Sequence, residues 1–473
     1  MLVTVHTGST LKDEIIYAQL LAKKKQHPML FSYVKKIESK DPLRVFSLFE
    51  ALKTTQRFFW ATPERDLILC GIGVELTIAN DQVNSNRFYT IEAMWNEWKQ
   101  HTYKIGTVEY GTGPLLFGGY SFDPNKRHET GKWNEFSHAH FHLPQIMITK
   151  NNDQWYVTIN KIISEGEKPE MYVEQMEHLL QQVTDTNTSL PEHDTKLVNK
   201  TVFHKEEWLK AVEKATETIR QRRFEKVVLA RDVLLTFNEP LSISTILKRL
   251  EKVQNTSYLF SFEVLDKCFV GATPERLVKK EGRRVYSTSL AGSIRRGVNH
   301  DDDEALSRQL LSDKKNLHEH EIVVRMITDA FQQCCTDIKK PESPIILKTR
   351  NIQHLFTPIE GMMKNGYSLM DLVEKLHPTP ALGGYPKEEA IQFIRHEEPM
   401  ERGWYAAPIG WIDLEDNGEF VVAIRSGLID QDRAYLFAGC GIVEDSEPQE
   451  EFLETEIKLG PMLDALGGTT CEQ

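Results

Sequence analysis

The sequence predicts an α+β fold, on three observations. Short β-like runs lie close together along the chain, long helical patterns interrupt them, and no regular βαβ alternation connects the two. In the first part of the chain Phe58–Trp60, Leu67–Cys70, Leu115–Phe117 and Trp155–Ile159 read as strands. A stretch rich in Thr, Asn, Asp and Ser, Val183 to Lys200, marks a soft boundary. Residues 1–200 are therefore expected to be an N-terminal region completing the fold, and residues 201–466 the catalytic region.

Beyond that boundary the periodicity sharpens. Glu206–Arg222 reads as an amphipathic helix, and Val227–Ala230, Tyr258–Val264, Cys268–Ala272 and Arg284–Ser289 read as strands. Asp301–Cys335 has the pattern of one long helix. Glu419–Ile429 and Arg433–Val443 read as a hairpin closed by an Asp-Gln-Asp turn, and Pro448–Leu466 as a last helix that ends at Gly467-Gly468.

The bulk composition narrows the function classes. The chain has 473 residues, 40% of them hydrophobic, enough to bury one large core or two ordinary ones. No run approaches the roughly 18 apolar residues of a membrane span. A formal net charge of −12 argues against nucleic acid or an anionic membrane surface as partner. The start, Met-Leu-Val-Thr-Val-His-Thr-Gly, carries no export signal, and the six cysteines are scattered, so a reducing cytoplasm is expected. An anionic substrate would need a local concentration of Lys, Arg or a metal ion.

Several motifs carry chemistry. Lys226 opens the apolar run Val227-Val228-Leu229-Ala230; facing a cavity, a desolvated lysine can serve as general base, although a lysine snorkelling at a strand end reads the same. In Gly271-Ala-Thr-Pro-Glu275-Arg276 the proline places Glu275 on a turn, where a carboxyl group can act as general acid. Ala61-Thr-Pro-Glu64-Arg65 repeats that motif, and composition does not choose between the two glutamates. Glu451, Glu454 and Lys458 share one face of the last helix and could hold a hard cation beside a carboxylated ligand, or form a solvated, self-paired face. In His318-Glu319-His320 the histidines point to different sides of a helix, which leaves Glu319 as a single oxygen ligand. His138, His140 and His142 would line one face of a strand, expected at the surface, and Cys440 is expected to be a small buried thiol.

In this order the segments resemble the chorismate-binding family, which comprises isochorismate synthases, salicylate synthases, anthranilate synthase large subunits and aminodeoxychorismate synthases. The resemblance runs from about Phe203 to Leu463. Lys226-Val-Val-Leu-Ala-Arg231, Gly271-Ala-Thr-Pro-Glu275, Ser289-Leu-Ala-Gly-Ser293 and Glu319-His320 carry its first half. Gln353-His354-Leu355, His377-Pro-Thr-Pro-Ala381, Gly403-Trp-Tyr-Ala-Ala-Pro408, Ile424-Arg425, Gly439-Cys-Gly-Ile442 and Glu451-x-x-Glu454-x-x-x-Lys458 carry the rest.

The resemblance implies one large domain of antiparallel sheets packed face to face with helices outside, and a buried Mg²⁺-dependent site. It implies Glu319 and Glu454 as Mg²⁺ ligands with Glu451 close by, and Lys226 and Glu275, not Glu64, as base and acid. It also implies that Tyr405, Arg425, Lys458 and the backbone at Gly439–Ile442, Gly441 included, hold substrate carboxylates. Gly292 and Ser293 would lie near the ring and His354 near the reacting side; Ala381, also expected to bind substrate, stands where salicylate synthases tend to carry Thr. Cys440 and Asn316 stand where the family often has Ala and Asp. Ala291 stands where aminodeoxychorismate synthases commonly carry a nucleophilic lysine, and Ser289–Ser293 departs from the anthranilate synthase segment. The expected reaction is therefore chorismate to isochorismate, with salicylate synthase as the alternative. No glutaminase subunit is expected, the chain is expected to be a monomer, and its long N-terminal part points to menaquinone rather than siderophore biosynthesis.

Overall fold

A computed structural model describes residues 9–52, 56–83, 86–126, 131–184, 195–348 and 352–468. The first eight residues and most of the predicted boundary segment, 185–194, lie outside the described residues.

Two large sheets organise the chain. One has thirteen strands, running from Leu197–Val202 through Lys226–Phe237, Arg433–Ile442, Ser426–Asp430, Lys267–Thr273, Tyr258–Val264 and Phe58–Ala61 to strands of the first 163 residues. The other has ten, and includes Ile352–Met363, Arg284–Arg295, Arg276–Glu281, Gly418–Val422, Pro408–Asp413, Leu115–Tyr120 and Ala139–Leu143 in that order. Among the described pairings all are antiparallel except Met29–Ile37 with Thr102–Gly106. Strands from both sides of residue 200 share both sheets, so the N-terminal region completes them.

The sheets face each other across an aromatic core. Phe58 and Phe117 stack at 4.5 Å between ring centroids across the two sheets, and Phe262 stacks on Trp404 at 5.4 Å. Such aromatic pairs add about 0.5–1.5 kcal/mol each beyond the area they bury. A second apolar layer, with Ile15, Phe46, Leu247 and Leu463, packs helices on the outer face of the larger sheet.

Two predicted elements are divided. The helical pattern Asp301–Cys335 folds as two helices, His300–Ser312 and Lys314–Cys334. Asp313 ends the first and caps the second, accepting a hydrogen bond from Asn316 N at 3.0 Å. The predicted strand Glu419–Ile429 is two strands in different sheets, Gly418–Val422 and Ser426–Asp430, because the chain crosses between sheets at Ala423–Arg425. The hairpin to Arg433–Ile442 forms as expected.

His138, His140 and His142 are buried rather than on a surface strand. His140 and His142 lie on the strand Ala139–Leu143 of the smaller sheet, and both touch the Phe262 ring in the inter-sheet core, while His138 just precedes the strand. The apolar intervening residues Ala139, Phe141 and Leu143 are buried as well, so the strand is covered on both faces and alternation does not distinguish its sides.

Candidate active site

The site forms where the chain passes from one sheet to the other. Lys267–Thr273 lies in the larger sheet and Arg276–Glu281 in the smaller, so the turn carrying Glu275 bridges them. The Ala423–Arg425 segment makes a second crossing beside it. Val422 N donates to the Glu275 carbonyl at 3.0 Å, and Ala272 N donates to the Arg425 carbonyl at 3.0 Å. Arg425 takes φ +50° at this crossing, a left-handed conformation that costs a non-glycine residue of order 1 kcal/mol.

The crossing explains why the repeated motif gives two different glutamates. After Ala61-Thr62-Pro63-Glu64 the chain returns as a hairpin within the same sheet, Phe58–Ala61 pairing with Leu67–Ile72, and Glu64 is exposed. After Gly271-Ala272-Thr273-Pro274 the chain changes sheets, and Glu275 is buried at 9% exposure. Burial pushes its carboxyl up to about 7, with the positive charge of Lys226 pulling the other way.

Lys226 begins the strand Lys226–Phe237 and extends across its diagonal neighbour Gly441 to Glu319, Nζ to Oε2 3.3 Å. Glu319 lies in the second turn of helix Lys314–Cys334. Next to it, His318 is exposed while His320 is buried, contacting the Ala291 carbonyl at 3.0 Å and Thr357 Oγ1 at 2.7 Å. His320 thus ties the Glu319 helix to the Ser289–Ser293 segment. Gly292 takes φ +77° in a bulge of that strand, and a Cβ there would come within 3.1 Å of Asn316 and Leu355. Ser293 pairs directly with His354, whose imidazole burial pushes down to about 4, with Arg425 adding to the shift.

The last helix supplies the opposite wall. Lys458 Nζ donates to the Gly439 carbonyl at 3.0 Å and pairs with Glu454 at 2.5 Å, while Arg425 donates to the Lys458 carbonyl at 3.2 Å. Tyr405, buried beside Arg425 and Arg402, has its phenol pushed up to about 12 by that burial. Ala381 is half-buried in the loop between helix Leu369–Leu376 and the short strand Gly384–Tyr385. Cys440 is a buried thiol, as expected.

The acidic groups are arranged individually. Glu319 faces Lys226, Glu454 faces Lys458, and Glu451 accepts from Ser446 Oγ at 2.6 Å, so among the described residues no three such groups converge. The other Glu451 oxygen, Oε2, is buried without a hydrogen-bond partner, next to Cys440. A buried carboxylate oxygen without a hydrogen-bond partner fits a hard divalent cation. Sequence reasoning missed one buried charged pair at this site, Glu398 with Arg402. Its signal was the i, i+4 spacing directly before Gly403-Trp404-Tyr405.

A profile described as chorismate binding enzyme matches residues 15–467 of this chain. The chain belongs to that family. Isochorismate synthase MenF of Bacillus subtilis (strain 168) is 47% identical over 463 residues, covering 97% of this chain and 98% of that protein. Salicylate biosynthesis isochorismate synthase of Pseudomonas aeruginosa is 34% identical, over 93% of this chain and 90% of its own. The solved structure of MenF, the menaquinone-specific isochorismate synthase from Escherichia coli, superposes with a TM-score of 0.78 over 96% of this chain and 100% of that chain. At 22% identity it shares the fold of this chorismate binding enzyme: two facing sheets with helices outside.

Proposed function

We propose that this chorismate binding enzyme is an isochorismate synthase. The observation that carries the reading is Glu275, a buried carboxyl held up to about 7 at the junction of the two sheets, within electrostatic reach of Lys226. Glu275 can donate a proton near neutral pH, and Lys226 is the group assigned to accept one. Chorismate is a dicarboxylate, and Arg425, Lys458 and the Tyr405 hydroxyl supply the positive charge and hydrogen bonds to hold it. Lys226 removes a proton from a water that attacks C2, and Glu275 protonates the hydroxyl leaving C4 as the double bonds shift. Each such proton transfer is worth about 10²–10⁴ in rate.

Glu319, Glu454 and Glu451 would hold Mg²⁺. When bound, Mg²⁺ offsets the charge of the substrate carboxylate and draws electron density from the ring. Neutral His354 and the Gly292–Ser293 bulge then orient the ring without adding charge. The near-full-length likeness to the Bacillus subtilis protein, above that to the salicylate-pathway enzyme, supports the menaquinone branch. Water as nucleophile requires no glutaminase subunit, and we read the enzyme as a cytoplasmic monomer.

Product analysis tests the proposal. Purified protein incubated with chorismate and Mg²⁺, without ammonia, is expected to yield an isobaric isomer and no pyruvate, and EDTA is expected to stop it. Salicylate with pyruvate would move the chain to the salicylate synthases, and no conversion would overturn the reading.

A further inference from the structure

The strand that carries Lys226 is paired unevenly. Along one edge Val227–Thr236 matches Ile442–Arg433 without a break. Along the other, Gly384–Tyr385 pairs with Lys226 and Val227, and Leu197–Val202 pairs from Val233 onward. Among the described residues no strand covers 228–232 between these two partners, yet buried main-chain groups there must be satisfied.

Glu398 and Arg402 satisfy two of them. Glu398 Oε2 accepts from Ala230 N at 2.7 Å, and Arg402 Nη2 donates to the Val228 carbonyl at 2.7 Å. The same guanidinium reaches the Leu382 carbonyl at 2.8 Å, while Val228 N donates to the Gly383 carbonyl at 3.0 Å. Two charge-assisted bonds of 2.7 and 2.8 Å join the pair itself, whose side chains are 3% and 0% exposed. Arg402 also lies 4.1 Å over the Phe122 ring. A pair so deeply buried recovers little net stability from its Coulomb attraction, since desolvation offsets it. Its geometry, by contrast, is specific. It clamps the Lys226 strand to the loop that contains Ala381, and Gly403-Trp404-Tyr405 follows directly.

We propose that Glu398 and Arg402 are positioning residues for the reaction: they take the place of a strand beside Val228–Ala230 and fix Lys226 relative to the Ala381 loop and Tyr405. This rests on the reading of Lys226 as the base. A lysine ammonium cannot span the Val228 and Leu382 carbonyls as the guanidinium fork does, so Arg402→Lys keeps the charge and loses the clamp.

The test compares Arg402→Lys and Glu398→Gln with Arg57→Lys, which alters another buried pair, Arg57–Glu263, whose glutamate lies on the strand Tyr258–Val264, a strand without site residues. Turnover of chorismate is measured well below each variant's melting temperature. Amide exchange of the Val228–Arg231 segment is measured without substrate. We expect both site variants to lose about 10–100-fold in kcat with KM within about threefold, and exchange of that segment to quicken about tenfold. Arg57→Lys should keep kcat and that exchange rate. Should Arg402→Lys fail to fold, Glu398→Gln carries the comparison. A folded site variant with wild-type kcat, or with unchanged exchange, would overturn the proposal. A wild type inactive on chorismate would instead overturn the functional reading, and the exchange data would still decide whether the pair anchors the strand.

Discussion

Lys226 depends on Gly441. A Cβ at position 441 would stand 2.6 Å from Lys226 Cε and 3.1 Å from its Nζ, so the lysine reaches Glu319 only across a residue without a side chain. The crowded atoms are the flexible end of a side chain rather than backbone. Gly441→Ala should therefore fold normally while the amine swings aside. A misplacement of about 1 Å costs on the order of 10²-fold in rate. Steady-state kinetics are expected to show that fall in kcat with a melting temperature within a few degrees of wild type; unchanged kcat would mean that Lys226 is not used in this pose.

The two Thr-Pro-Glu-Arg copies give a sharper comparison. Glu275 is buried at the sheet crossing and Glu64 is exposed on a hairpin. Glu275→Gln should lower kcat by about 10²–10⁴, and Glu64→Gln should leave it within twofold or so. The reverse pattern would transfer the acid to the N-terminal copy. Lys226→Ala, read in the same assay with circular dichroism as the folding check, should abolish turnover.

The fold class was legible because strands such as Tyr258–Val264 and the helix Pro448–Leu466 announce themselves by composition, periodicity and a terminal glycine. The breaks were not. Ala423, Ile424 and Arg425 look like strand residues, and only the other sheet's position makes the chain leave its own there. Asp313 is a good cap, but a cap inside an unbroken helical pattern gives no local sign that it is used. The candidate site was legible as separate motifs, and their juxtaposition was not: Ser293 pairs with His354, and the charge of Lys226 acts on Glu275, between segments distant in sequence. The Glu398–Arg402 clamp was hidden for the same reason, since the strand atoms it holds, Ala230 N and the Val228 carbonyl, lie more than a hundred positions away.

Glu275 also makes stability depend on pH. Its folded-state pKa of about 7 lies above the ordinary 4.5, so the native state favours the protonated form. That contribution is fully present below about pH 4.5 and is lost as pH rises through 7. The loss amounts to about 3 kcal/mol, as an order of magnitude, at 1.36 kcal/mol per unit. Urea unfolding of wild type should show this component weakening between pH 5 and 8, and Glu275→Gln should remove it. An identical pH profile in the two proteins would mean that Glu275 is solvated in the folded enzyme.

The histidine pair acts in the opposite direction. His140 and His142 contact each other through Nε2 atoms 2.9 Å apart, and burial pushes their imidazoles down to about 4 and about 3. Each is favoured neutral in the folded state, so its contribution is present above the ordinary value of 6.5 and is lost as pH falls below it. Protonating either ring would place an ammonium-like charge beside the Phe262 ring in the apolar inter-sheet core. Replacing both by glutamine keeps polar side chains of similar reach and removes the titration. The double variant should lose the acid-side slope in stability between about pH 6.5 and 4, measured by urea midpoints. A slope that persists would assign acid sensitivity to other groups.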